Sequence, residues 1–200
     1  MMLPTHALVG LAIATPVAVG VPDLSTSLLV GALVGSILPD VDVLATHRRT
    51  LHYPTGYVLA SVPVLAVAAL APTPIIVALA AGLVAAAIHC RMDRYGGSHE
   101  NRPWERKTDR AVYDHLAGRW RGAKRWTRYD GSSRDLAVAA TAAAVPLLAP
   151  IGAFRTLAAV SLGVAVVYTA FRRRIADLVD ELSVALRRGS DRLRAGCDRR

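Results

Sequence analysis

Apolar residues run in six long blocks separated by polar stretches, without the charged positions that mark an amphipathic helix of a soluble protein. The predicted spans cover residues 4–21, 24–44, 54–71, 74–90, 135–149 and 152–171. A helix rising about 1.5 Å per residue needs roughly 20 apolar residues to cross about 30 Å of hydrocarbon. The shorter blocks and the internal Pro16, Pro63 and Pro146 predict tilted or kinked helices. The pattern therefore predicts an all-α, polytopic integral membrane protein with about six transmembrane helices.

Tight turns join the blocks in pairs, at Pro22-Asp23, Pro72-Thr73 and Pro150-Ile151. Such turns predict three antiparallel helical hairpins. The membrane domain then covers residues 1–171 and includes a long cytoplasmic loop at residues 91–134. Residues 172–200 form a basic tail with a helical apolar stripe, which either lies on the inner membrane face or associates with another helix.

The distribution of basic residues gives the orientation. Arg48 and Arg49 follow the second block, twelve Lys and Arg fall within residues 91–134, and nine follow residue 171. Only Arg155 lies on the other side. Basic residues accumulate on the cytoplasmic side of membrane proteins. This alternation predicts a multi-pass protein of the cell membrane with cytoplasmic N- and C-termini.

Composition changes this picture little. The chain is 53% hydrophobic and carries a formal net charge of +9. Membrane topology accounts for most of that charge, and no nucleic-acid-binding motif accompanies it, so we expect no direct nucleic-acid partner. The lipid bilayer is the expected partner, and the cytoplasmic loop is a candidate surface for a protein partner.

Histidine and aspartate residues gather at the cytoplasmic ends of the predicted spans. His6 opens the first span, Asp40 and Asp42 close the second, His47 and His52 lie in the following loop, and His89 and Asp93 close the fourth. Ionisable groups beside hydrocarbon are costly unless they are paired, hydrated or bound to metal. Their convergence on one membrane face points to a metal site.

Spacing favours ligation in two places. His89 and Asp93 are four residues apart and therefore share a helix face. Pro39 favours an end to the second helix, and in an extended segment Asp40 and Asp42 would point the same way. Each group alone also has an ordinary explanation: the aspartates can cap the helix end or pair with Arg48 or Arg49, and the histidines can be interfacial. Imidazole and carboxylate without thiolate suit zinc, manganese or iron.

The ordered motifs resemble a known family. They are Thr5-His6 followed by Gly10, the run Gly35-Ser36-Ile37-Leu38-Pro39-Asp40-Val41-Asp42, His47-Arg48 followed by His52, and His89-x-x-x-Asp93. Over roughly residues 1–135 the chain looks like the membrane-bound metal-dependent hydrolase family, also described as LexA-binding and inner-membrane-associated, and its loop is most similar to haloarchaeal members. By this resemblance the metal ligands are His6, Asp40, Asp42, His52, His89 and Asp93. Leu51 and Tyr53 depart from the threonine and serine usual in that family.

Two functions follow from these observations. The first is a metal-dependent hydrolase that uses zinc or manganese, with Asp42 as general base and with Arg48 and Arg49 holding an anionic phosphoester or lipid substrate. The second is a non-enzymatic scaffold that binds a partner through its cytoplasmic loop. A transporter is a weaker alternative, because residues 58–88 and 136–154 contain no ionisable group near the membrane midplane.

Overall fold

The computed structural model describes residues 1–197, with side chains up to residue 186, and the last three residues of the predicted tail lie outside the described residues. The chain is mostly helical. Its elements are α1 (Leu3–Gly20), α2 (Ser25–Ile37), α3 (Gly56–Leu70), α4 (Pro74–Tyr95), β1 (Arg110–Asp114), β2 (Arg119–Gly122), α5 (Ser133–Leu148) and α6 (Ala153–Cys197), with 3₁₀ helices at Pro22–Leu24 and Leu38–Leu44. Every predicted apolar block contains a helix.

Within the part of the chain that the structure describes, four segments are long and apolar enough to cross a membrane: Leu3–Gly20, Pro22–Leu44, Pro74–Tyr95 and Ala153–Leu186. The helices α3 and α5 are shorter, with 15 and 16 residues. Many outward-facing side chains are large and apolar, including Val62, Leu79 and Val160. Such a surface suits lipid better than water. Membrane association is therefore supported, while six crossings remain a prediction.

Small residues let α2 pack closely between α1 and α4. A side chain added at Gly31 would collide with the Ala78 backbone of α4, and one added at Gly35 would collide with the Gly82 backbone. The four-residue spacing of Gly31 and Gly35 is typical of helix pairs that associate closely in membranes. This contact brings the C-terminal end of α2 beside the C-terminal half of α4, where the candidate ligands lie.

The rest of the bundle is arranged around α1. Helices α5 and α6 pack against the other side of α1, and α3 packs against α4 at the periphery. The buried core combines Leu8 and Leu11 of α1 with Leu29 of α2 and a set of small residues from α5 and α6. His6 is therefore held in the middle of the bundle, beside α4.

The segment after α2 differs from the predicted extended conformation. Leu38–Leu44 is a 3₁₀ helix, with Pro39 in its first turn. Proline has no amide proton for the next α-helical hydrogen bond, and its fixed φ suits the start of a new turn. Because a 3₁₀ helix has about three residues per turn, side chains two positions apart diverge. Asp40 and Asp42 consequently do not point the same way.

The loop at residues 91–134 contains structure that an all-α prediction omits. Strands β1 and β2 form an antiparallel hairpin in which Tyr113 pairs with Trp120. The hairpin is tied to the loop after α2, because the Tyr113 amide donates to the Arg48 carbonyl oxygen at 2.9 Å. The segment of residues 91–134 therefore packs against the end of the bundle where the candidate ligands lie.

The predicted boundary at residue 171 does not interrupt the last helix. Arg172 is buried, and its Nε donates to Asp130 Oδ2 at 2.8 Å. Two turns further, Arg102 of the loop pairs with Asp177 at 2.9 Å and with Asp180 at 2.7 Å. These ion pairs neutralise charge where α6 leaves the apolar region, so one 45-residue helix joins the last apolar block to the tail.

Candidate metal centre

Four side chains converge at one end of the bundle. The group comprises Asp40, His52, His89 and Asp93, and one ligand atom from each lies within 4.8 Å of all the others. Three of the four side chains are buried, while that of Asp40 is 18% exposed. The ligand atoms come from the 3₁₀ helix after α2, the loop before α3, and the C-terminal part of α4.

The distances between histidine nitrogens and carboxylate oxygens in the group are close to those of direct ion pairs. His52 Nε2 lies 3.1 Å from Asp93 Oδ2, and His89 Nε2 lies 3.4 Å from the same oxygen. On the other side, Asp40 Oδ1 lies 3.3 Å from His89 Nε2 and 3.7 Å from His52 Nε2. The two carboxylates thus face the same two ring nitrogens, with one oxygen each.

The Nδ1 atoms of the two histidines have other partners. His89 Nδ1 donates to the Ser36 carbonyl oxygen at 2.6 Å, and His52 Nδ1 donates to Asp42 Oδ2 at 2.8 Å. A neutral imidazole that carries its proton on Nδ1 presents a lone pair at Nε2. Hydrogen bonds of this kind fix the tautomer and ring orientation of metal-binding histidines.

The resulting arrangement needs a positive charge at its centre. Two Nε2 lone pairs and two carboxylate oxygens would otherwise face one another inside a buried space, which is unfavourable. Among the described residues, His89 Nε2 has no hydrogen-bond partner although it is buried. Two nitrogen and two oxygen donors fit a divalent ion such as zinc or manganese.

The negative charge around His52 also affects its pKa. Burial alone would lower the pKa of His52, but hydrogen bonds with Asp42 and Asp93 raise it above its ordinary value. A metal ion bound at Nε2 would replace the proton held there, so metal affinity should increase as pH rises.

Asp42 lies behind His52 and outside the four-ligand group. Its Oδ2 accepts from His52 Nδ1 and from the amides of Arg49 and Leu51, while its Oδ1 accepts from the Arg48 amide and pairs with His47 Nδ1. These donors occupy both oxygens of a carboxylate that is fully buried. Asp42 thus contacts histidines and backbone amides and lies outside the four-ligand group. Its predicted roles as metal ligand and general base stay predictions.

His6 borders the group from α1. Its Nε2 lies 3.1 Å from Asp93 Oδ1, the oxygen that does not face His52. Its ring stacks on His89, with centroids 3.7 Å apart and an interplanar angle of 20°. His6 thus contacts two candidate ligands without joining the four atoms that converge.

The two predicted substrate-binding arginines differ in their surroundings. Arg48 is buried, donates from Nη1 to the Gly97 carbonyl oxygen at 2.9 Å and lies 3.5 Å from Asp93 Oδ1 through Nη2. It balances the charge of Asp93 and holds the loop in place. Its contact with substrate stays a prediction. Arg49 is exposed, with its guanidinium 4.7 Å from the Tyr113 ring centroid, and remains a candidate for an anionic group.

His47 is the functional candidate whose role the sequence did not reveal. Its Nδ1 pairs with Asp42 Oδ1 at 3.0 Å, and its side chain is 36% exposed. Burial, and then the charge of Arg48, lower the pKa of His47 below its ordinary value. A neutral, partly exposed imidazole oriented by a carboxylate has the properties of a general base. Only its position one residue before Arg48 in a His-rich loop marked it in the sequence.

An apolar cleft begins one helical turn from the centre. Its volume is about 470 Å³, and its walls come from α1, α2, α3 and α4. On α1, Gly10, Ile13 and Val17 line the cleft and follow His6 by four, seven and eleven residues, so they continue the same helix face. On α4, Ala85 lines the cleft one turn before His89.

Comparison with known proteins identifies no relative. No family model matches the chain, and neither the curated proteins nor the solved structures contain a match.

Proposed function

We propose that this chain is a multi-pass membrane protein that hydrolyses a phosphoester of a membrane lipid at a divalent metal ion. The observation that carries the proposal is the convergence of Asp40, His52, His89 and Asp93 around one buried point. The resemblance of the motifs to the membrane-bound metal-dependent hydrolase family supports the same chemistry. Zinc and manganese both suit the donor set.

The residues around the ion would have different roles in hydrolysis. When bound, a divalent ion supplies a nucleophile near neutral pH, by lowering the pKa of water to about 7, and polarises the bond to be broken. Asp42 orients His52 through Oδ2 and His47 through Oδ1. His47 would accept the proton of the attacking water at the nitrogen that does not face Asp42, and Arg49 would attract the anionic group.

The apolar cleft favours a lipid over a soluble phosphoester. Its lining contains only apolar side chains and glycine. Between the lining residues Gly10 and Val17, α1 rises about 10 Å, which is roughly a third of the thickness of the hydrocarbon core. An acyl chain in the cleft would therefore place the headgroup of its lipid near the four ligands.

Hydrolysis can be tested directly with purified protein. Phospholipids and generic phosphoesters are offered with zinc or manganese, and product is measured with and without a chelator. We expect hydrolysis that depends on metal and is faster for the lipid, because only the lipid fills the cleft. If the wild-type protein hydrolyses nothing in this panel while residues 91–134 capture a protein partner, the scaffold function should replace this proposal.

The proposed topology has six crossings with both termini in the cytoplasm, supported by the distribution of basic residues. Single cysteines at Asp23 and Thr73, in a Cys90→Ala/Cys197→Ser background, should react with an impermeant thiol reagent added outside the cell. Cysteine at Ala117, which is exposed near the hairpin turn, should react only after permeabilisation. The opposite labelling pattern would contradict this orientation.

A further inference from the structure

A second cavity lies on the opposite side of α4 from the metal centre. Its volume is about 370 Å³, and it is enclosed by the start of α3, the C-terminal part of α4 and the β hairpin. Arg91 and Arg94 line it from α4. Arg91 follows His89 by two residues, about 200° around the helix, so this cavity is separate from the ligand cluster.

Three basic side chains meet one acidic side chain in this cavity. Arg91, Arg94 and Arg121 are the basic residues, and Asp114 is the acidic one. Arg121 is already paired, because its Nε and Nη2 donate to Asp114 Oδ2 at 2.9 and 2.5 Å. The cavity therefore keeps an excess of two positive charges, which Arg91 and Arg94 provide.

The paired carboxylate is fixed in place and charged. Asp114 also accepts from Thr55 Oγ1 at 2.8 Å and from the amides of Leu116 and Ala117. Burial alone would raise the pKa of Asp114, but the hydrogen bonds from Arg121, Thr55 and Ala117 lower it to about 2. Since Asp114 is occupied by these donors, it does not neutralise Arg91 or Arg94.

Arg94 carries an unused donor. Within the described part of the chain, its buried Nε has no hydrogen-bond partner. A buried donor without a partner costs free energy, and a guanidinium favours phosphate oxygens as acceptors. Arg91 and Arg94 are three residues apart on one helix face, so two guanidinium groups can contact the same phosphate.

Much of the remaining lining of the cavity is apolar. It includes Pro54 before α3, Val58 of α3, and Ala87 and Ile88 of α4. A ligand that fills this space must combine an anionic group with hydrocarbon. Basic pockets between transmembrane helices on the cytoplasmic side are typical sites for anionic lipid headgroups.

We propose that this cavity binds the phosphate headgroup of an anionic phospholipid, with an acyl chain of that lipid against Val58 and Ile88. The site anchors the hairpin and the end of α4 to the membrane surface. It goes beyond the proposed hydrolysis and does not depend on metal, although the proposed topology assigns it to the inner leaflet.

Native mass spectrometry of delipidated protein in detergent tests the site, with phosphatidylglycerol as the anionic probe and phosphatidylcholine as the zwitterionic one. We expect one phosphatidylglycerol bound to the wild type, and binding weakened roughly 30-fold in Arg91→Gln/Arg94→Gln. Arg119→Gln removes an exposed charge from the same hairpin and should leave binding unchanged. Ala87→Phe, which fills the apolar wall and keeps every charge, should also weaken binding.

Three results would overturn the proposal. These are equal binding of both lipids, equal effects of Arg119→Gln and the double substitution, and displacement of the lipid by millimolar inorganic phosphate, which would indicate a site for the free anion. Gel filtration of each variant identifies unfolded protein, and Ala87→Phe decides the question if the double variant does not fold. The test measures lipid binding and not hydrolysis, so its outcome does not depend on whether the protein is a hydrolase.

Discussion

Replacing Asp93 by Asn should leave the purified protein almost free of divalent metal. Asp93 Oδ2 lies within 3.4 Å of both candidate ligand nitrogens, so the substitution removes the negative charge shared by His52 and His89. Asparagine keeps a similar shape and one acceptor oxygen, so the loss should reflect charge more than packing. His89→Ala should have the same effect, because it removes one of four ligands. Metal content by mass spectrometry of the detergent-purified protein measures both.

Asp42→Asn should lower the metal content less than Asp93→Asn does. Asp42 contacts the centre only through His52, and changes to such outer partners weaken metal affinity roughly 10–100-fold. We therefore expect partial metal content at limiting metal and full content at excess. The controls are Asp109→Ala, whose carboxylate is 82% exposed, and His115→Ala in the exposed hairpin turn. Unchanged metal content in folded Asp93→Asn and His89→Ala would mean that the four residues do not hold an ion.

Part of this centre could be predicted because a regular helix fixes the relation of its side chains. His89 and Asp93, four residues apart, had to share one face of α4 once the apolar block was recognised as a helix. Asp40 was placed just beyond the end of the second helix because of Pro39, although the segment there is a 3₁₀ helix and not the predicted extended conformation.

The role of Asp42 could not be predicted from its spacing. Its partners are His47, His52 and three amides of the loop, so its environment depends on how residues 45–52 fold back over the 3₁₀ helix. Such a loop is held by many weak contacts that no local periodicity records. The contacts of Arg48 could not be predicted either, because its guanidinium donates to the carbonyl oxygen of Gly97, 49 positions away in the sequence.

The hairpin was missed because its signals are short. Strand β1 has five residues and β2 has four, within a loop rich in charge. The strand-forming residues Val112, Tyr113 and Trp120 flank a turn in which Gly118 has φ of 60°, a conformation that favours glycine. These features are consistent with a hairpin. The sequence did not single it out, because membrane topology alone explains why the loop is rich in arginine.

Replacing His47 by Gln should lower the turnover of the lipid phosphoester by about 10²–10⁴-fold while leaving the metal content unchanged. Glutamine retains hydrogen-bonding capacity but cannot accept a proton at neutral pH. His47 pairs with Asp42 Oδ1, whereas His52 pairs with Oδ2, and His47 is not among the four converging ligands, so its loss should not remove an ion. The matched control is His115→Gln, which removes an exposed histidine of the hairpin turn.

The pH dependence of turnover separates this role from a structural one. Because burial lowers the pKa of His47, the wild-type imidazole should be neutral at pH 7. At saturating metal, turnover should therefore fall as the pH drops through that pKa, where the base becomes protonated, and this acidic limb should be absent from His47→Gln. Unchanged turnover in His47→Gln would place the base elsewhere, whereas simultaneous loss of metal would make His47 a ligand. Since Asp42 pairs with both His47 and His52, Asp42→Asn should reduce metal affinity and turnover together. At excess metal, where its metal content is restored, the loss of turnover should remain.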